Sequence, residues 1–162
     1  MLGYVRWLRS HVGHAPLLLV GAGAIIYKDG KVLLQRRADD GTWAIHGGCL
    51  EPGESTEETA IREVQEELGI TPLSLEFYSI LSGEDMFFRY PNGDEAYIVS
   101  VTYFCDNFSG QIRLDPVEVA EVQWFDVDSL PDNIHAPIDV AILKDLDGFL
   151  RKTGRMTSST RQ

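Results

Sequence analysis

Long apolar runs are missing from this chain, and none reaches the roughly 18 residues that a membrane-spanning helix needs. The opening stretch carries basic residues before an apolar run, as a secretory signal does. Gly21, Gly23 and strand-like alternation interrupt that run, and it leads into a turn at Lys28-Asp29-Gly30. It therefore reads as a folded segment of a cytoplasmic protein. Cysteine is scarce: Cys49 and Cys105 stand far apart, without metal-site spacing, and read as reduced thiols. Positive charge is also in deficit, with 14 Lys and Arg against 25 Asp and Glu, a formal net charge of −11. That balance opposes non-specific binding to DNA or to an anionic membrane surface. A phosphate-bearing small molecule stays compatible with it, provided metal ions screen the site. Repeats and linkers are absent too. The 162 residues read as one domain over 1–150, including an N-terminal helix extension at 1–13, with a polar, frayed tail at 151–162.

What is present alternates between strand and helix signals. Gly3 to Val12 has the spacing of a short amphipathic helix, which packs either on its own sheet or on a second subunit, leaving a homodimer as one option. Leu17 to Tyr27 reads as a strand, Asp29-Gly30 as a hairpin turn, and Lys31 to Arg37 as the return strand. Trp43 to Ile45 is a short extended piece. Ser55 to Leu68 is the clearest helix, stopped by Gly69. Leu73 to Leu81 and Ala96 to Asp106 read as strands, joined by a long connection over Ser82 to Glu95. Phe108 to Val117 reads as loop, Val122 to Phe125 as a strand, Val127 to Pro131 as a helical turn, and Pro137 to Leu150 as a last helix.

The chemistry is concentrated in Gly48 to Ile70, GCLEPGESTEETAIREVQEELGI. Lys is absent from it, Arg62 is its one basic residue, and Glu51, Glu54, Glu57, Glu58, Glu63, Glu66 and Glu67 fall within it. On a helix, Glu63 lies three and four residues before Glu66 and Glu67, so the side chains meet. Like charges so placed cost about 0.2–0.5 kcal/mol per pair. A hard divalent cation such as Mg²⁺ or Mn²⁺ reverses that sign, because it prefers carboxylate, carbonyl and water oxygens. The bland alternative is a solvated acidic face. The glycine pair at Gly47 and Gly48, with its freedom for positive φ and close backbone approach, favours the metal reading.

The spacing runs Gly48, five residues, Glu54, seven residues, Arg62-Glu63-Val64, one residue, Glu66-Glu67, one residue, Gly69-Ile70. It resembles the Nudix hydrolase box at every fixed position. The flanking VLLQRR, Trp43 and EVQWFDVDSLP extend the likeness to the MutT and ADP-ribose pyrophosphatase-like members over most of the chain. The resemblance implies an α/β (α+β) fold, an α/β/α sandwich around a mixed sheet. It also implies Mg²⁺- or Mn²⁺-dependent hydrolysis of a nucleoside diphosphate linked to another group. Position by position it implies Glu63, Glu66 and Glu67 as metal ligands, the carbonyl of Gly47 as a further ligand, and Gly48, Glu54, Arg62 and Gly69 as structural. Glu54 and Arg62 would pair to brace turn against helix. Catalysis falls to Glu63 and to a late loop carboxylate, Glu118, with Glu121 as the alternative base. The family commonly has proline where this chain has His46, which reads either as a phosphate contact or as a turn residue without catalytic role.

Substrate contacts are less defined. Arg36 and Arg37 end a strand and point to opposite faces, so one can reach a phosphate. Phe87, Phe88, Tyr90 and Tyr97 surround a loop and can stack a base or close the core. Arg89 among them hints at an anionic ligand. The partner implied is a small nucleotide. A non-catalytic nucleotide sensor would have lost carboxylates, and an RNA 5′-end pyrophosphohydrolase would need a basic path for RNA.

Overall fold

The computed structural model describes residues 3–156. Its elements are α1 (Tyr4–Val12), β1 (Leu17–Lys28), β2 (Lys31–Arg37), β3 (Trp43–Ala44), β4 (His46–Cys49), α2 (Thr56–Leu68), β5 (Thr71–Pro72), β6 (Glu76–Leu81), β7 (Phe87–Arg89), β8 (Glu95–Cys105), β9 (Phe108–Ser109), β10 (Val119–Asp126), α3 (Ile138–Leu143) and α4 (Leu146–Lys152). The main sheet runs β10-β2-β1-β8-β6, with β3 on β2, β4 on β1 and β7 on β8. β1 and β8 are parallel from Leu17↔Ala96 to Ile26↔Cys105, and the other pairings are antiparallel, so the sheet is mixed.

β1 organises the sheet because its alternate residues serve two cores. Ala24 and Ile26 pack with Val64 and Leu68 of α2. Ile25 and Tyr27 pack on the other face with Ile142, Leu143, Leu146 and Leu150 of α3 and α4. Helices on both faces of a mixed sheet make the α/β/α sandwich. Asp29 and Gly30, at φ 49° and 80°, make the two-residue turn into β2 that right-twisted strands favour.

β1 also changes neighbour along one edge. Gly21–Ala24 pair with β4, and Ile26–Lys28 pair with β2. The strands come very close at the changeover. A Cβ on Gly23 would collide with the carbonyl oxygen of His46, and one on Gly47 would lie 2.7 Å from that of Ala22. Gly47 and Gly48 sit in extended β4, outside the positive-φ glycines. Glycine is thus required there for close approach, and the expected left-handed turn is displaced to Gly53, at φ 92°.

Several boundaries differ from the sequence reading. The strand expected from Leu73 begins at Glu76, since Thr71–Pro72 first pair with Phe108–Ser109 inside the segment expected to be loop. The long connection at 82–95 holds a 3-10 turn, Glu84–Met86, and β7. Val127 to Pro131 forms a turn without helix. The last helix breaks in two at Asp145 (φ −96°, ψ 4°), which keeps Ile142, Leu143, Leu146 and Leu150 in one core. The described part of the expected tail, to Met156, is tied to the sheet. The Arg155 guanidinium lies 4.6 Å over the Phe104 ring and bonds Asp106 and Glu76 at 2.9 and 2.8 Å. Residues 157–162 of the expected tail lie outside the described residues.

The helix α1 lies on its own sheet, with Val5 and Leu8 against Leu19, Ala96 and Ile98. Arg9 fastens it by donating to the carbonyls of Ala15 and Glu95, each at 2.6 Å. Among the described residues no helix is long and apolar enough to cross a membrane.

Candidate active site

α2 starts at a reciprocal cap. Ser55 Oγ accepts from the Glu58 amide at 3.1 Å, and Glu58 accepts from the Ser55 amide at 2.8 Å. Gly69, at φ 73°, closes its C-terminus. The free carbonyls there are taken up by the loop before β10: Arg113 N–H donates to Leu68 at 2.7 Å and Asp115 N–H to Glu67 at 3.3 Å. That docking carries Glu118 to the same side of the sheet as the α2 carboxylates.

The carboxylates divide by environment. Glu63 and Glu67, four residues apart, are buried against β4, while Glu66 turns outward and is exposed. A Cβ on Gly48 would overlap the Glu63 carboxylate, so the glycine makes room for it. Glu67 Oε2 accepts from Gln35 Nε2 at 3.0 Å and lies 3.7 Å from His46 Nδ1. Arg62 forms a bidentate pair with Glu54 at 2.6 and 3.0 Å and donates to the Cys49 carbonyl at 3.1 Å, tying helix to turn. Its Nη1 lies 2.7 Å from Glu63 Oε1 and 3.4 Å from Glu66 Oε2.

Burial pushes the Glu63 carboxyl up from 4.5 to about 7, reinforced by Glu67, opposed by Arg62 and raised slightly by Glu66. Arg62 holds Glu54 down at about 2. Glu118 is raised by partial burial first, then by Glu67, Asp115 and Glu66. The other glutamates of the stretch have structural partners: Glu58 caps α2, Glu51 Oε2 accepts the first amide of α1, Tyr4 N–H, at 3.0 Å, and Glu57 accepts from Thr56 Oγ1 at 3.2 Å.

A cleft of about 400 Å³ is lined by Gln35, Arg37, Gly47, Gly48, Glu63, Glu67, Tyr90 and Glu118, among others. Five sequence candidates thus meet there with Gly48: Glu63, Glu67, Gly47, Arg37 and Glu118. Glu66 stands outside the wall, beside Arg62. Arg36 pairs with Glu121 at 3.2 Å, and neither lines the cleft. Phe87 packs on Tyr97, 5.1 Å between centroids, and Arg89 pairs with Glu95 at 3.6 Å. Neither β7 candidate is among the residues that line the cleft, and Tyr90 is the aromatic there. His46 is fully buried and donates from Nε2 to the Leu33 carbonyl at 2.9 Å. It is a wedge under Glu67, neither a turn residue nor open to a phosphate.

A divalent cation can be tested against this geometry. Among the described residues no three acidic, histidine or cysteine side chains are already gathered at metal-ligand spacing. The donor chemistry nevertheless fits a hard cation: Glu63, Glu67 and the Gly47 backbone share one wall, and a single guanidinium nitrogen already bridges Glu63 to Glu66.

Sequence reasoning missed Gln35, His135 and Asp139. His135 Nδ1 donates to Asp139 Oδ2 at 2.8 Å, and Asp139 Oδ1 accepts the Ile45 amide at 2.9 Å. With Gln35 they line a second cavity of about 150 Å³ that adjoins the cleft. Buried polar residues within apolar segments are the signal that could have found them.

Comparison with known proteins agrees with this arrangement. The chain is 32% identical to an ADP-ribose pyrophosphatase of Methanocaldococcus jannaschii over 115 residues, covering 69% of this chain and 64% of that protein. It is 32% identical to the nucleoside triphosphatase NudI of Escherichia coli over 130 residues, covering 75% of this chain and 89% of the relative. A MutT NUDIX hydrolase from Burkholderia pseudomallei superposes with a TM-score of 0.68 at 29% identity, over 79% of this chain and 97% of that one. The NUDIX domain family model matches residues 17–146, from the first residue of β1 into α4, so the sandwich and its carboxylate helix place this chain in the Nudix hydrolase family.

Proposed function

We propose that this chain hydrolyses the diphosphate bond of a small nucleoside diphosphate derivative or nucleoside triphosphate, with Mg²⁺ or Mn²⁺. The observation that carries the reading is the buried pair Glu63 and Glu67 against Gly47 and Gly48. Two carboxylates buried together are costly without a cation, and Arg62 offsets only one of them directly. Glu63, Glu67 and the Gly47 carbonyl would hold the ion, with Glu66 at its outer edge. A bound Mg²⁺ or Mn²⁺ supplies charge neutralisation of the diphosphate and acidifies a bound water.

The chain's own residues do the rest. Arg37, held on the cleft wall by a bidentate pair with Asp39 at 3.0 and 2.6 Å, would meet a phosphate oxygen with its remaining amino nitrogen. Arg62 and Glu54 hold α2 against β4 so that Glu63 keeps its place. Glu118, which lines the cleft with Glu63 and Glu67, accepts the proton of the attacking water. The water oxygen bonds to phosphorus, the bridging P–O bond breaks, and the leaving phosphate takes the electron pair. Glu121 is occupied by Arg36 outside the cleft, which favours Glu118 as the base.

A panel of nucleoside triphosphates, nucleotide sugars, ADP-ribose and dinucleoside polyphosphates tests this, with Mg²⁺ or Mn²⁺ and detection of phosphate, pyrophosphate and nucleoside monophosphate. Metal-dependent release of a nucleoside monophosphate from at least one member is expected. Binding without turnover across the panel would instead support a nucleotide sensor.

A further inference from the structure

α1 lies ahead of residues 17–146, which the family model matches, yet it is bonded to two segments next to the active-site cleft. Its first amide, Tyr4 N–H, is taken by Glu51 of the β4–α2 turn at 3.0 Å. Its last turn carries Arg9, whose side chain is 12% exposed. Arg9 Nη2 donates to the Glu95 carbonyl at 2.6 Å, and Nη1 to the Ala15 carbonyl at 2.6 Å. Its Nε lies 3.6 Å from Asp94 Oδ2, and His14 Nδ1 lies 2.7 Å from Asp94 Oδ1. A planar guanidinium with several carbonyl and carboxylate partners fixes direction as well as distance.

Asp94 and Glu95 close the turn that begins at Tyr90. Tyr90 N–H donates to the Asp94 carbonyl at 2.8 Å, and Gly93 N–H to the Tyr90 carbonyl at 2.9 Å. Tyr90 is half-buried. It packs against the cluster of Leu19, Ala96 and Ile98, on which Val5 and Leu8 of α1 also pack. Phe88 meets its ring edge-on at 4.7 Å. Tyr90 also lines the cleft that holds Glu63, Glu67 and Arg37, and the smaller cavity that adjoins it. α1 therefore supports Tyr90 twice, through a shared apolar cluster and through the turn that Arg9 pins.

We propose that α1 is a substrate-affinity element: Arg9 pins the turn that sets Tyr90 against the nucleoside part of the ligand. The phosphates are drawn to the cation at the carboxylates and to Arg37. A neutral aromatic offers them no charge, and its face suits a flat base. Such stacking tolerates any base, because every base has a π-face. A surface turn without Arg9 is free to move, and a ring that moves with it loses the contact. Tyr90 is the contact residue, and Arg9 is a positioning residue that acts through it. The inference rests on the nucleotide reading of the cleft.

The test is calorimetric binding of adenosine, guanosine, cytidine and uridine 5′-monophosphates with Mg²⁺, beside KM and kcat on the best substrate of the panel. Tyr90→Ala should weaken Kd about tenfold for every nucleotide that the wild type binds, and raise KM more than it lowers kcat. Tyr90→Phe keeps the ring and should lose less than Tyr90→Ala. Arg9→Ala should weaken Kd about fivefold in the wild-type background and by less than about twofold in the Tyr90→Ala background, because the two residues act as one unit. A general structural role for α1 would instead multiply the two losses. Arg9→Lys keeps the charge without the fork and should fall between Arg9→Ala and wild type. It also reads the same quantity should Arg9→Ala fail to fold by circular dichroism. An unchanged Kd in Tyr90→Ala or in both Arg9 variants, multiplied losses in the double variant, or no wild-type binding of any of the four would overturn the inference. Turnover whose KM ignores both residues overturns it and leaves the hydrolase standing. Binding that depends on Tyr90 and Arg9 without turnover supports it and counts against the hydrolase.

Discussion

Glu63→Gln in the metal-free protein separates stability from activity. In the fold, burial and Glu67 move the carboxyl from 4.5 to about 7. Below pH 4.5 it is protonated in both states and contributes nothing to the pH dependence. Between 4.5 and about 7 the unfolded chain releases the proton while the fold retains it, so stability falls as pH rises. Above about 7 the carboxylate is ionised in both states and the penalty is complete. At about 1.4 kcal/mol per pH unit the penalty is ~3 kcal/mol. Glutamine is nearly isosteric, stays neutral and still accepts from Arg62 Nη1. The variant should therefore match the wild type near pH 4 and exceed it by ~3 kcal/mol at pH 8. For a domain of this size that is roughly 6–12 °C in Tm. Urea unfolding followed by circular dichroism, with chelator present at both pH values, measures it. Excess Mg²⁺ at pH 8 should close the gap by stabilising the wild type through binding. Equal or lower stability of Glu63→Gln at pH 8 would refute the reasoning.

Gly48→Ala places a methyl group on the Glu63 carboxylate; because the obstructed atoms end a flexible side chain, unfolding should shift by only about 1 kcal/mol, while steady-state turnover drops about 100-fold through misplacement. Glu118→Gln should lower kcat by about 10²–10⁴-fold and remove the acid limb of the pH–rate profile, a limb displaced upward from that of a free carboxylate because Glu118 is raised by burial and Glu67. Glu121→Gln should leave both rate and profile unchanged, and an identical loss in the two variants would count against Glu118 as the base. Arg37→Ala should reduce kcat/KM about 10-fold or more, whereas Arg36→Ala, whose partner is Glu121, should stay within about twofold, with under about 1 kcal/mol of stability change.

The local features of this fold were legible in the sequence because their causes are local. The Asp29-Gly30 turn, the α2 cap and its Gly69 stop each depend on neighbouring residues, and the i,i+4 spacing brought Glu63 and Glu67 together. The division between buried Glu63 and Glu67 and outward Glu66 required the position of β4, which periodicity alone does not supply. Strand register likewise decided that Arg37 lines the cleft while Arg36 meets Glu121, and that Phe87 meets Tyr97. The break at Asp145 follows from packing on the far face of the sheet. Gln35, His135 and Asp139 are distant in the chain and converge only after β2, β3 and α3 assemble, so no motif announced them.

The central claim is that the buried carboxylates of α2 act on a diphosphate through a divalent cation. Turnover of the best nucleotide from the panel by wild type and Glu67→Gln, across a Mg²⁺ titration and with folding verified by circular dichroism, tests it most directly. The account predicts a loss of roughly 100-fold or more in Glu67→Gln, with a weakened Mg²⁺ dependence and an intact fold. A variant that turns over within about threefold of wild type, at unchanged Mg²⁺ dependence, would contradict it.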